Sequence, residues 1–212
     1  MRHYSLFDRF LMHTDTALRT IAGKPVATHR PYPAQSIEEC ELDAAENRHV
    51  AGLMRINHAG EVSAQALYQG QSLTAQNDAV RQKLEQAALE ENDHLVWTQN
   101  RLRELGERTS LLNPLWYTGS FAIGVFAGAL GDRWNLGFLA ETEHQVVRHL
   151  DSHLEKLPAC DGRSRAILEQ MKIDEAKHAT TALDHGGKSL PFPMKKLMQA
   201  MSKVMTGSTY WI

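Results

Sequence analysis

The chain has 212 residues, which is enough for one domain with a substantial apolar core. Hydrophobic residues make up 42% and charged residues 23%, which excludes disordered, collagen-like and disulfide-scaffold proteins. The net charge of −2 gives no positive field to attract phosphates, so we expect no nucleic-acid partner. Cys40 and Cys160 predict free, buried thiols in a reducing compartment.

The N-terminal segment predicts a short amphipathic helix of the mature protein. It has no uninterrupted apolar stretch of signal-peptide length, and Asp8 and Asp15 are untypical of a transit peptide. Its basic and apolar residues are Arg2, Arg9 and Arg19 with Leu6, Phe7, Phe10, Leu11 and Leu18.

Between residues 38 and 185 the apolar residues follow a helical period, with no alternation typical of strands. Four main helices are predicted, at residues 40–73, 79–105, 134–157 and 163–184. Polar turns at 76–78 and 158–162 close two hairpins, and a connection of about 30 residues joins them, as in ferritin-like bundles. We therefore predict an all-α, ferritin-like four-helix bundle: one domain over residues 1–212, with a core at 40–187 and a tail at 188–212.

The long connection holds an uncharged stretch at residues 109–131. Only residues 121–130 are strictly apolar, about half of what a bilayer requires. A buried crossover helix or an interfacial hairpin is therefore favoured over a membrane span. Gly124 and Gly128 would let a neighbouring helix approach closely, or they occur together by chance.

The tail contains a basic amphipathic helix. Lysines occupy one side, and the other carries Met194, Leu197, Met198, Met201, Val204 and Met205. Two interpretations stay open: the helix docks on the core through its methionines, or it lies on an anionic membrane surface.

Four Glu-x-x-His pairs occur, more than chance predicts, and each places a carboxylate and an imidazole on one helical face. Such a pair can reach a single metal ion. The pairs are Glu46/His49, Glu91/His94, Glu141/His144 and Glu175/His178.

Hairpin geometry selects among these pairs. Residues equidistant from a turn lie at the same level, and Gln76 is midway between Glu61 and Glu91 while Ala159 is midway between Glu143 and Glu175. The apolar stripe of the third helix includes Glu143, whereas Glu141 faces away. Glu46 lies about 22 Å from Glu61 along its helix, which predicts a capping or solvated pair.

Burying four carboxylates and two imidazoles without compensation costs more than a domain's margin of stability. Two divalent cations would neutralise the cluster, and its ligand types suit iron or manganese. The predicted metal ligands are Glu61, Glu91, His94, Glu143, Glu175 and His178. Four nearby polar residues are left outside the predicted site: Asn57, Asp93, His149 and Asp174.

The motifs RINHAGE, EENDH, AETEH and DEAKH, followed by LDHGG, resemble in order and spacing the demethoxyubiquinone hydroxylase family of ubiquinone biosynthesis. The resemblance covers residues 45–187. It implies iron at the six predicted positions, with Glu91 and Glu175 bridging two irons.

The resemblance also implies a monooxygenase that uses O₂ and an external reductant to hydroxylate the ring of a polyprenylated 3-methyl-6-methoxy-1,4-benzoquinol. The short N-terminus is similar to bacterial members, so we expect a peripheral protein on the cytoplasmic face of the cell membrane, with other ubiquinone-biosynthesis proteins as partners. Two alternatives remain: a ferritin-like ferroxidase or iron-storage protein, and a metal-free, membrane-associated helical interaction protein.

Overall fold

The computed structural model describes residues 6–22, 25–28 and 30–212, and every regular element in these ranges is an α-helix. The helices are α1 (Leu6–Ile21), α2 (Ala44–Thr74), α3 (Asp78–Glu104), α4 (Asn113–Ala129), α5 (Asp132–Lys156), α6 (Gly162–Asp184) and α7 (Phe192–Thr209). The all-α prediction is confirmed. None of these helices is both long and apolar enough to cross a bilayer.

Side-chain caps fix where the bundle helices begin. Asp43 accepts hydrogen bonds from the first turn of α2, and the Asp43 backbone amide donates one to the Glu46 carboxylate, which completes a capping box. This cap starts α2 four residues later than predicted and confirms that Glu46 is a capping residue. The side chains of Asn77 and Asp161 cap α3 and α6, each by accepting a hydrogen bond from a backbone amide of the first turn.

The bundle consists of two hairpins, α2 with α3 and α5 with α6, which pack together around a core in two parts. One apolar cluster lies at the end near the α5–α6 turn and includes Met54, Leu102, Leu150 and Met171. The other lies at the end near the α2–α3 turn and includes Tyr68, Leu84, Leu139 and Ala182. On each of the four helices, the predicted ligand residues fall between these two clusters.

A buried arginine joins the hairpins at one end. The side chain of Arg101 is fully buried on α3 and donates hydrogen bonds to Glu39 (2.6 and 2.9 Å), Asp161 (3.1 Å) and Ser164 (2.8 Å). These partners belong to the segment before α2, the α5–α6 turn and α6. Because the guanidinium has several donors in a fixed fork, one side chain holds all three elements in register.

The cysteines correct one prediction. Both thiols are free, but Cys40 is only half-buried and Cys160 is exposed. The two side chains interact, and local burial together with the hydrogen bond that Cys40 donates to the Cys160 thiol raises the pKa of Cys40 to about 11. The long separation in sequence gave no sign of this contact, because it depends on how the segment before α2 meets the α5–α6 turn.

The uncharged connection forms the single helix α4, which packs along α2. It is half-buried rather than buried, since Leu115 and Phe126 are exposed on its outer side. Its glycines allow close approach: a Cβ at Gly124 would clash with the Leu67 carbonyl of α2, and one at Gly70 would lie 2.7 Å from the Val125 amide. The small-residue spacing therefore serves helix packing.

Helix α7 is rotated relative to the prediction. Met198 and Met205 turn toward the protein, while Leu197, Met201 and Val204 are exposed. The end of α7 is fixed to the bundle: Trp116 of α4 donates to Thr209 (3.0 Å), and Arg55 of α2 donates to the carbonyl of Tyr210 (2.8 Å). Helix α7 thus docks on the rest of the protein through the side that carries Met198 and Met205, and its other apolar side stays exposed.

Helix α1 lies on α2 and α4 and also exposes apolar side chains, among them Leu11 and Leu18. The side chains of Leu6, Phe7, Arg9 and Phe10, and the whole of Arg2, fall outside the described part of the chain.

Replacing Gly124 by alanine should lower the free energy of unfolding by about 1–3 kcal/mol, because the new methyl group forces α4 away from α2. Gly119 is the matched control: it is on the same helix, exposed, with nothing within 4 Å of an added Cβ. Gly119→Ala should stabilise by about 0.5–1 kcal/mol through helix propensity. Urea denaturation of both variants measures the difference. Equal effects at the two positions would contradict close packing.

Candidate metal centre

The two Glu-x-x-His boxes of α3 and α6 meet in the middle of the bundle. His94 Nδ1 lies 2.9 Å from Glu91, 3.1 Å from Glu175 and 3.6 Å from Glu61. Each of these four side chains offers a donor atom within 4.8 Å of the others, and all four are buried. The group can therefore hold a metal ion.

The other two predicted residues extend this group. His178 Nδ1 lies 3.1 Å from Glu91 and 3.2 Å from Glu175. Glu143 is also buried, close enough to Glu175 for that carboxylate to raise its pKa. Glu91 and Glu175 thus each contact both imidazoles, with Glu61 on the His94 side and Glu143 on the Glu175 side. The structure brings all six predicted residues together.

Two carboxylates that the sequence analysis left out hold the histidines in place. His94 Nε2 lies 3.0 Å from Asp174 of α6, and His178 Nε2 lies 2.9 Å from Glu90 of α3. Each of these carboxylates directly precedes the glutamate of one box and contacts the histidine of the other. Such partners fix the orientation of an imidazole so that its second nitrogen faces the metal.

The charges within the cluster are strongly coupled. Burial, together with repulsion from Glu91, raises the pKa of Glu61, and burial with repulsion from Glu175 raises that of Glu143. Burial opposes ionisation of the other groups, but ion pairing overcomes it. The pKa of Glu91 is lowered by the two histidines, and Glu175 and Glu91 raise the pKa of His178 to about 12. Without metal, protons therefore neutralise the layer.

One buried oxygen of the layer needs a positive partner. Within the described part of the chain, Glu143 Oε1 is buried without a hydrogen-bond partner. Leaving such an atom unsatisfied is costly, since a buried carboxylate oxygen needs a donor or a cation. A metal ion in this layer would provide one.

Other residues that the sequence analysis placed outside the metal site have different partners in the structure. Glu141 is buried, but it pairs with Lys195 of α7 (2.8 Å) on the far side of α5. His149 packs against His153 with the two rings tilted, their centroids 3.9 Å apart. Asp93 accepts a hydrogen bond from the backbone amide of Thr28 (2.8 Å).

An open cleft between α3, α5 and α6 is lined in part by His178 and Glu90. Its other walls include Leu136, Leu139 and Ala182, with Lys83 and Lys177 among the polar residues. The cleft therefore lies beside the His178 side of the centre.

A helical bundle with a buried layer of glutamates and histidines able to hold a metal defines a ferritin-like metal-binding class. Comparison with known proteins is more specific. The chain belongs to the family described as ubiquinone biosynthesis protein COQ7, whose family model matches residues 48–209.

Individual relatives match over nearly the whole chain. A protein of Azotobacter vinelandii is 60% identical and covers 100% of this chain and 98% of its own length. A protein of Nitrosomonas europaea is 58% identical over 97% of this chain and 98% of its own length. A third, from Nitrosococcus oceani, is 57% identical over 100% and 99% respectively. All three are named 3-demethoxyubiquinol 3-hydroxylase.

The raised pKa values predict how stability depends on pH when metal is removed by a chelator. Glu61, Glu143 and the histidines bind more protons folded than unfolded, so stability should fall as the pH rises. The urea midpoint should therefore decrease from about pH 6 to about pH 9. Changing Glu61 and Glu143 together to glutamine should make this decrease smaller.

Glu141→Gln is the control for that measurement. Burial raises the pKa of Glu141, but the hydrogen bond from Lys195 outweighs it and lowers that pKa. Glu141 is therefore ionised throughout this pH range, and its replacement should leave the pH dependence of stability unchanged. A midpoint that rises with pH in the chelated protein would contradict the proton-filled layer.

Proposed function

We propose that this chain is a monooxygenase that uses O₂ and a pair of iron ions to hydroxylate the ring of a polyprenylated 3-demethoxyubiquinol. The names of its relatives supply the reaction. The observation that carries the proposal is the contact of Glu91 and Glu175 with both imidazoles, because two metals that share ligands need such groups between them. These relatives favour this function over the iron-storage and metal-free alternatives.

The six residues divide into two sets around the shared carboxylates. Glu61 and His94 would complete one iron position, and Glu143 and His178 the other. Four carboxylates balance two divalent cations, which satisfies the charge of a buried layer. The oxygen and nitrogen donors suit iron, and this layer has no thiolate that would favour other metals.

When bound, a reduced iron pair supplies the two electrons needed to activate O₂. The chain's contribution is the environment. The apolar clusters on both sides of the layer exclude water, and Glu90 and Asp174 hold the imidazole rings. Glu61 and Glu143, which keep their protons when the layer is empty, must release them as metal enters.

Replacing Glu175 by glutamine should reduce bound iron to at most about one per chain and abolish hydroxylation, because it weakens a ligand shared by both positions. Glu169→Gln, an exposed position on the same helix, is the control and should retain wild-type iron and activity. Anaerobic Fe(II) loading, iron analysis and product detection with a short-chain demethoxyquinol test this. Two tightly held irons in the Glu175 variant would remove that residue from the site.

We also propose that the protein rests on the cytoplasmic face of a bacterial membrane through its outer helices. Helices α1, α4 and α7 all contact α2, and each exposes large apolar side chains away from the bundle. The exposed residues include Leu11 and Leu18 on α1, Leu115 and Phe126 on α4, and Leu197 and Val204 on α7. Patches of this kind mark interaction surfaces, and a prenylated substrate resides in lipid. Contact with other enzymes of ubiquinone biosynthesis belongs to the same proposal.

Changing both Leu197 and Val204 to glutamate should lower binding to phosphatidylcholine–phosphatidylglycerol vesicles at least about tenfold, because two inserted apolar groups are lost. Point changes are better than removing the tail, since the end of α7 is anchored to α2 and α4. Ile173→Glu is the control: Ile173 is 63% exposed, comparable to Leu197 at 55% and Val204 at 68%, but lies on bundle helix α6. Vesicle co-sedimentation gives the affinities. An equal loss in both variants would refute a membrane face formed by α7.

A further inference from the structure

A short segment before the bundle reaches the surroundings of His94. We call residues 25–28 and 30 the strap. The Val26 carbonyl accepts a hydrogen bond from Asn92 (2.9 Å), and the Thr28 amide donates one to Asp93 (2.8 Å). Asn92 and Asp93 are the two residues between Glu91 and His94, so the spacer of one metal-binding box holds the strap.

The strap ends in Arg30, which contacts two neighbours of His94, Asp174 and Trp97. Arg30 Nη2 lies 2.8 Å from Asp174 Oδ2, the same oxygen that lies 3.0 Å from His94 Nε2. The Arg30 guanidinium also lies over the Trp97 ring, 4.9 Å from its centroid, and the Trp97 ring is 5.3 Å from that of His94. Gln170 binds the other oxygen of Asp174 (3.2 Å).

These contacts surround His94. Asn92 and Asp93 bind the strap, the strap positions Arg30, and Arg30 in turn contacts Asp174 and Trp97, which both lie against the His94 imidazole. Arginine suits this role because its planar fork binds a carboxylate and stacks on an aromatic ring at the same time. His178 has a separate support in Glu90 of α3. The family match begins at residue 48, so the strap lies before the matched region.

We propose that Arg30 is a positioning residue for His94 and thereby sets the metal affinity of the His94 position. The proposal rests on the dinuclear centre proposed above. Its consequence is an asymmetry: loss of Arg30 weakens one of two metal positions and leaves the other as it was.

The test is titration of the chelated full-length protein with Co(II), followed by visible absorption. Wild type should bind two equivalents. In Arg30→Gln, one equivalent should bind at least about tenfold more weakly, the cost typical of losing an outer partner of a ligand, and the other should change by less than about twofold. Arg30→Lys keeps the charge but loses the planar fork, so it should give an intermediate affinity.

Two controls separate positioning from general stability. Arg19→Gln removes an exposed arginine of α1 that pairs with Asp15, and should leave both equivalents unchanged. In an Asp174→Asn background, Arg30→Gln should have little further effect on Co(II) affinity, because the arginine acts through that carboxylate.

Wild-type affinity for both equivalents in Arg30→Gln would overturn the proposal. So would equal weakening of both together with a lower melting temperature of the chelated protein, which would indicate a purely structural role. If wild type itself binds fewer than two Co(II), the dinuclear centre is refuted and the role of Arg30 with it.

Discussion

The structure depends on a balance of charge within a dry layer. Four glutamates and two histidines are buried between two apolar clusters of the four-helix bundle. In such surroundings an ion pair is strong, but an unpaired charge is costly. The layer can therefore be filled by protons or by cations, but it cannot stay as a set of free carboxylates. Metal binding and protonation of Glu61 and Glu143 are two solutions to one electrostatic problem.

The supports of the layer follow an approximate twofold symmetry. Glu90 precedes Glu91 and holds His178, while Asp174 precedes Glu175 and holds His94. Each hairpin thus orients the histidine of the other, and a shift between the hairpins would break both supports at once. Nearer the α5–α6 turn, Arg101 also fixes the position of one hairpin relative to the other, because it binds Glu39 before α2 and Asp161 in that turn. The symmetry ends at Arg30, which contacts the support of His94.

Some of this arrangement follows directly from sequence. Positions equidistant from a turn must lie level in an antiparallel hairpin, so Glu61 with Glu91 and Glu143 with Glu175 could be matched before any coordinates were known. Glu90 and Asp174 could not be identified in this way, because their partners lie 88 and 80 residues away on the other hairpin. The rotation of α7 was also not predictable. Apolar residues occur on adjacent sides of that helix, and only the bonds that anchor its end decide which side faces α2.

Helix α2 connects the inner layer to the outer surface. It carries Glu61 on its inner side, and its outer side receives α1, α4 and α7. Gly70, where α4 approaches the α2 backbone, lies nine residues beyond Glu61, about 13 Å along the helix axis. A helix with interlocked backbones cannot slide without breaking its packing, so the exposed apolar side chains keep a fixed position relative to the metal layer. Under the proposed function this rigidity is useful, because a lipid-anchored quinol can be aligned with the centre only if membrane face and metal layer belong to one rigid wall.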